Sequence, residues 1–171
     1  MSSGLLFLGQ AASKAKRDEL DNQRHAHERR DRALHGLGRL GTLNDDDRLM
    51  LADIQRQLAD DRLSLSTRRC PQCRQPFANV RMRNLSVEYC RQCRGSWFDP
   101  GELGLITHNP RDVPSSGVSH RKSRFRCPVC DTAMWECIFR KPFNLLVDRC
   151  PDGHGVYLEE GELERALRMS P

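Results

Sequence analysis

The order of polar and apolar positions changes character along the chain. From Ala11 to His35, Ala, Lys, Arg, Asp, Glu and Gln dominate and apolar residues are few, which predicts a solvated helix. Gly36, Gly38 and Gly41 interrupt it. Asn44-Asp45-Asp46-Asp47 then offers side-chain acceptors and negative charge, both suited to a helix start. Leu51, Ile54 and Leu58 follow at helical spacing, with Ala59 beside them. The pattern predicts a second helix from about Asp45 to about Asp61, with one stripe packed on a neighbour or partner. Past residue 69 the period becomes two. Val80 and Met82, then Leu85 and Val87, alternate as strands with one buried face, and Cys137, Phe139, Leu145 and Val147 do the same later.

Cysteine placement divides the chain. All eight cysteines lie between residues 70 and 150, so the boundary falls near Thr67-Arg68-Arg69. Residues 1–69 read as a polar helical region. The cysteines are also repeated. CPQC at Cys70–Cys73 recurs as CPVC at Cys127–Cys130, at an offset of 57. CRQCRGSWFDPGEL from Cys90 recurs as CPDGHGVYLEEGEL from Cys150, at an offset of 60. The second copy therefore has three more residues between its cysteine turns. Pro110, Pro114 and Ser115-Ser116-Gly117 mark a linker, and HRKSR from His120 gives it a basic end. This predicts units at 70–107 and 127–171, with a basic linker at 108–126.

A cysteine turn, a hairpin and a second cysteine turn make the layout of a zinc ribbon. Zinc takes a tetrahedral set of thiolates and imidazoles, and two CxxC turns separated by sixteen residues fall within the spacing of such sites. In the first copy the expected ligands are Cys70, Cys73, Cys90 and Cys93. The second copy has Cys127, Cys130 and Cys150, but Gly153 stands where Cys93 would align. His154 is one residue on, and its longer side chain is expected to complete a set of three cysteines and one histidine. Two Zn2+ ions per chain follow. Cys137 aligns with Val80 and reads as a small buried thiol.

The rest of the repeated phrase reads as structural. Gly95 and Gly155 suit left-handed backbone after a metal turn, and Trp97 and Tyr157 suit covering the hairpin. Asp99-Pro100-Gly101-Glu102 reads as N-cap to N3 of a short helix, repeated more weakly at Glu159–Glu162. Capping accounts for these acids. No nucleophile, base and open metal position occur together, so no enzyme is expected. His25 and His27 are two apart and do not share a helix face. Asp45–Asp47 lacks the glycine and alternation of a calcium loop.

Composition adds two constraints. The chain is 30% charged and 37% hydrophobic, so a large apolar core is not available, and metal is expected to stabilise each ribbon. On that reading Cys90→Ser unfolds the first ribbon and leaves the second intact. The net charge is +5, with five basic and one acidic side chain in residues 106–126. Two zinc sites with deprotonated thiolates lower it to about +2. No apolar run of membrane-spanning length occurs, and Leu5–Leu8 is too short for a signal segment, so a cytoplasmic location is expected. In that setting cysteine pairs bind metal or do redox work.

Together, CPxC, a hairpin and CxxCxGxWFDxGEL, at Cys70–Leu103, resemble the transcription-factor zinc-finger family of TFIIB-type zinc ribbons. Cys127–Leu163 resembles the variant ending in CxxxHGxxL. The resemblance implies zinc and a ribbon fold, and its name suggests transcription. The expected fold is therefore small, metal-stabilised α+β: two tandem ribbons, each followed by a short helix, after a helical N-terminal region. The expected function is a protein-binding adaptor without catalysis. The alternative is nucleic-acid binding through Arg121, Lys122, Arg124, Phe125 and Arg126, with Arg81, Arg83, Arg91 and Arg94 nearby and Phe125 stacking a base. A lesser alternative is a thiol redox or zinc-sensing switch.

Overall fold

Asn44 caps the first helix of the described residues, its Oδ1 accepting from the Asp47 N–H at 2.7 Å. In this computed structural model, which describes residues 41–109, 121–139 and 145–169, the helix, α1, spans Asp45–Leu58. The readings made at 11–40 and on the linker at 110–120 lie outside the described residues. The buried face of α1 is Met50 and Ile54, with Leu51 and Leu58 partly buried. The stripe is thus rotated slightly from the predicted one, because Asp47 joins it. Its carboxylate is buried and meets Arg83 Nη2 at 2.7 Å. The helix stops at Leu58, short of Asp61, where Asp60 turns back to accept from the Arg62 N–H.

Eight strands follow among the described residues: β1 Leu65–Arg69, β2 Pro76–Met82, β3 Leu85–Tyr89, β4 Ser96–Phe98, β5 Arg121–Arg126, β6 Ala133–Ile138, β7 Leu146–Arg149 and β8 Val156–Leu158. They form one antiparallel sheet in the order β1-β2-β3-β4-β8-β7-β6-β5. The order reads alike from either end, so the two copies are related by a pseudo-twofold. Its axis passes between Trp97 and Tyr157, which pair directly across β4 and β8. Register repeats with the sequence offsets: Arg69 faces Pro76 and Arg126 faces Ala133, while Val80 faces Val87 and Cys137 faces Val147.

Two boundaries differ from the sequence reading. A strand precedes the first CxxC of each copy, so the first unit starts at Leu65, before Cys70, and the basic segment 121–126 is strand β5 rather than linker. The strands were not legible because both are sheet edges with one ladder each, rich in charge and poor in alternation. Charged edges also discourage pairing with other chains.

The sheet is covered on both faces. Val80, Met82, Val87, Phe98, Leu145, Val147 and Leu158 share a core with Met50 and Ile54 of α1. Helices α2 (Glu102–Ile106) and α3 (Glu162–Leu167) add Leu103, Ile106, Leu163 and Leu167 to it. Phe77, Trp97, Phe125, Met134 and Tyr157 cluster with the cysteines on the other face. Every residue of β4 and β8 is therefore buried. Each large apolar side chain so buried contributes about 1.5–3 kcal/mol, and the core is common to both ribbons.

The helix starts differ from the predicted caps. The N-cap residues are Gly101 and Gly161, at φ 93° and 79°. A Cβ would meet nothing within 4 Å at either, so backbone conformation, not space, selects glycine. Glu102 Oε2 accepts from the Asp99 N–H at 2.9 Å, and Glu162 Oε2 from the Glu159 N–H at 2.8 Å. The Asp99 carboxylate is engaged elsewhere, accepting from Trp97 Nε1 and Arg68 Nη1. Among the described residues no helix is long and apolar enough to cross a membrane.

Candidate metal centres

Each ligand turn is a short frame closed by backbone hydrogen bonds. Cys70 N–H donates to Gln75 O, Cys90 to Gly95 O, Cys127 to Thr132 O and Cys150 to Gly155 O, at 2.8–3.0 Å. Within the first three, the residue four past the leading cysteine donates back to that cysteine's carbonyl. Those residues are Arg74, Arg94 and Asp131, at φ 64°, 60° and 58°. Non-glycine residues pay roughly 1–2 kcal/mol for this conformation, so the closed turns hold strain. The fourth turn keeps the frame but closes one residue earlier. Gly153 donates to Cys150 O at 3.1 Å and takes the left-handed conformation itself. The ligand position thus moves from 153 to 154, where an imidazole reaches what a thiol would not.

The four turns bring the expected donors into two sets. Cys70, Cys73, Cys90 and Cys93 form one; Cys127, Cys130, Cys150 and His154 form the other, and the donor atoms within each lie within 4.8 Å of one another. Cys70 Sγ is 3.3 Å from Cys93 Sγ, and Cys73 Sγ is 3.3 Å from Cys90 Sγ. Cys150 Sγ is 3.6 Å from Cys130 Sγ and 3.4 Å from His154 Nδ1. Zinc with thiolates at about 2.3 Å sets tetrahedral sulfurs roughly 3.8 Å apart. Both sets fit that ion in donor type, number and spread. The Val129 N–H also points at Cys127 Sγ, 3.4 Å away, as suits a thiolate.

Crowding sets the thiol acidities. Hydrogen bonds from Cys70 and then Cys90 pull Cys93 down to about 2, and contact with Cys70 and Cys93 drives Cys90 up. For Cys70, contact with Cys90 lowers the value, but contact with Cys93 and burial outweigh it and leave it at about 11. Burial pushes Cys127 up to about 12. Thr132, first by its side chain and then by its backbone, draws Cys130 down to about 7. A metal bound at either set would displace the protons that its thiols carry. Cys137 is buried away from both sets and its thiol is pushed up by burial, as its alignment with Val80 suggested.

The two units cross over at their glycines. A Cβ on Gly95 would lie 2.0 Å from Tyr157 Oη, and one on Gly155 would lie 2.7 Å from Trp97 Cζ2 and 2.3 Å from Phe98 O. Gly155 has φ 143°, whereas Gly95 is not among the residues at positive φ. Gly95 is therefore a matter of space rather than of conformation. Each aromatic covers the other copy's ligand turn. Sequence repetition shows the glycine and the aromatic but not the exchange, which depends on the β4–β8 pairing.

Most of the residues considered for nucleic acid make contacts within the fold, although Arg81, Arg91, Arg94, Lys122 and Arg126 are exposed. Phe125 is 5% exposed, its ring edge-on to Tyr157 at 5.2 Å between centroids, so it does not face a base. Arg124 meets Glu159 at 2.7 Å and stacks on Phe125. Arg121 pairs with Glu136, and Arg126 with Asp131. Lys122 is exposed. Arg83, Arg91 and Arg94 grip α1 or its end, through Asp47, the Asp60 carbonyl and Gln55. Arg81 exchanges backbone hydrogen bonds of 2.7 and 2.8 Å with the Gln57 amide.

Comparison with known proteins agrees with this geometry where it reaches. Residues 69–107 match the family model described as transcription factor zinc-finger, the TFIIB-type zinc ribbon, while the second copy is outside that match. No curated protein and no solved structure matches the chain. The first unit is thus similar to a TFIIB-type zinc ribbon, and the second repeats its strand order, register and four-donor cluster in the same sheet.

Proposed function

We propose that the chain is a zinc-binding adaptor without catalytic activity, which contacts a protein partner within a transcription-related assembly of the cytoplasm. The observation carrying this reading is that each donor set already has four protein ligands. A four-coordinate zinc in such a set has no open position for substrate, so the metal holds the fold and recognition falls to the surface. The burial of Phe125 against Tyr157, which removes the stacking residue of the nucleic-acid reading, favours a protein partner over nucleic acid. Affinity capture with the zinc-loaded chain, with and without nuclease, tests the reading. Partners that survive nuclease support it. Loss of partners on nuclease treatment, with recovery of nucleic acid from untreated samples, refutes it.

A further inference from the structure

The pseudo-twofold is broken at its axis. Trp97 and Tyr157 occupy equivalent places, but their polar atoms do different things. The Trp97 indole N–H goes to Asp99 Oδ1 at 3.0 Å, within its own ribbon. The Tyr157 hydroxyl crosses to the other ribbon and lies 3.5 Å from Cys70 Sγ and 3.6 Å from Cys93 Sγ, within reach of the large sulfur atoms. It also donates to Gln72 Oε1 at 3.1 Å, on the same ligand turn. The ring is fully buried against Phe125, so the hydroxyl has no competing water. Gly95, which leaves room for that hydroxyl, belongs to the same centre's second ligand turn.

We propose that Tyr157, from the second ribbon, is a positioning residue of the first metal centre, and that it makes occupancy of the first centre depend on the second. The inference rests on the zinc reading above. Four thiolates around Zn2+ carry excess negative charge, and a buried hydroxyl that shares its one proton between two of them makes a charge-assisted, bifurcated hydrogen bond. When the phenolic proton turns to sulfur, the Gln72 amide can turn to donate to the phenol oxygen. The dependence follows from the chain path. An ion on Cys127, Cys130, Cys150 and His154 fixes the Cys150–Gly155 frame, which leads directly into β8 and sets Tyr157 on the first centre. An ion at the first centre fixes Cys90–Gly95, which leads into β4 and sets Trp97 on Gly155. Coupling of this kind is reciprocal, and typical couplings change affinity about 5- to 150-fold.

Titration of the full chain with Co2+ tests this. Imidazole is a stronger-field ligand than thiolate, so the two centres absorb at different energies and their filling can be followed separately. In Tyr157→Phe the ring packing stays and only the hydroxyl is lost. The four-cysteine centre is expected to bind Co2+ about tenfold more weakly. Its sulfur-to-metal charge-transfer band is expected to move to lower energy, because the hydrogen bond no longer holds the sulfur lone pairs down. The three-cysteine centre keeps its band energy. In His154→Ala, which weakens the second centre directly, the first centre is also expected to bind less tightly. An unshifted band with unchanged affinity in Tyr157→Phe overturns the role of Tyr157, and a first centre that fills normally in His154→Ala overturns the dependence. If wild type binds no Co2+ at either centre, the zinc reading itself fails.

Discussion

The two ribbons share strand order and register yet are braced differently. The first presents four cysteines and carries α1 on its sheet, held by Met50 and Ile54, the Asp47–Arg83 pair and the Gln57–Arg81 backbone exchange. The second replaces one thiolate with His154, and its edge strand β5 is tied by Arg124 to Glu159 and by Arg121 to Glu136. Arginines that looked alike in composition thus brace a helix in one half and an edge strand in the other. A repeat conserves the frame that holds the ligands, while each copy settles its charges with what happens to lie against it.

The largest expected effect tests whether the halves are separable. The sequence reading had Cys90→Ser unfolding one ribbon alone. The shared sheet and core lead to a different expectation. Structural zinc binding is worth about 10–16 kcal/mol in small zinc folds, as much as a domain's whole stability of roughly 5–15 kcal/mol. Its loss at the first centre should remove hydrogen-exchange protection in β2 and β3 and also in β8, through β4. Protection of Val156–Leu158 that survives unchanged would restore the picture of two independent units.

Next in size are the crossing glycines. Gly155→Ala puts a methyl 2.3 Å from the Phe98 carbonyl at φ 143°, where backbone cannot yield easily. A loss of about 3–4 kcal/mol is expected in denaturant unfolding of the zinc-loaded protein. Gly95→Ala meets Oη, Cζ and Cε2 of the buried Tyr157 at 2.0, 2.6 and 2.8 Å, but it lacks the positive-φ strain of Gly155 and should cost less, about 1–3 kcal/mol. The opposite ranking would place the tighter crossing in the other ribbon.

Arg83→Ala sharpens the contrast in bracing. It leaves the Asp47 carboxylate buried without its guanidinium. Breaking a buried pair costs about 3–5 kcal/mol, and the partial exposure of Arg83 reduces the expected loss to about 2 kcal/mol. The loss should appear as faster amide exchange along α1, with the second ribbon unaffected. Lys122→Ala, at an exposed position of β5, should change stability by less than about 0.5 kcal/mol and leave partner capture intact.

Much of this was legible because metal chemistry is written in local spacing. Cys70, Cys73, Cys90 and Cys93 are separated by distances that a turn and a hairpin close, and the offset repeat marked Val80, Met82, Leu85 and Val87 and their counterparts as alternating positions with one buried face. His154 was legible for the same reason, although the shift of the left-handed residue from the fourth to the third position was not. What the sequence concealed is non-local. Phe125 and Arg124 lie in what reads as a basic linker, and only the placing of that segment in the sheet sets them against Tyr157 and Glu159. Asp99 has the form of a helix cap, but Arg68, thirty-one residues earlier, takes its carboxylate. The exchange of Trp97 and Tyr157 depends on β4 meeting β8, which neither copy specifies alone.

The most direct measurement is metal content joined to hydrogen exchange on the purified full chain, before and after a strong zinc chelator. Two zinc ions per chain, with protection of β2–β4 and β6–β8 lost together on chelation, are the predicted result. A metal-free protein whose sheet protection is unchanged by the chelator would contradict the account.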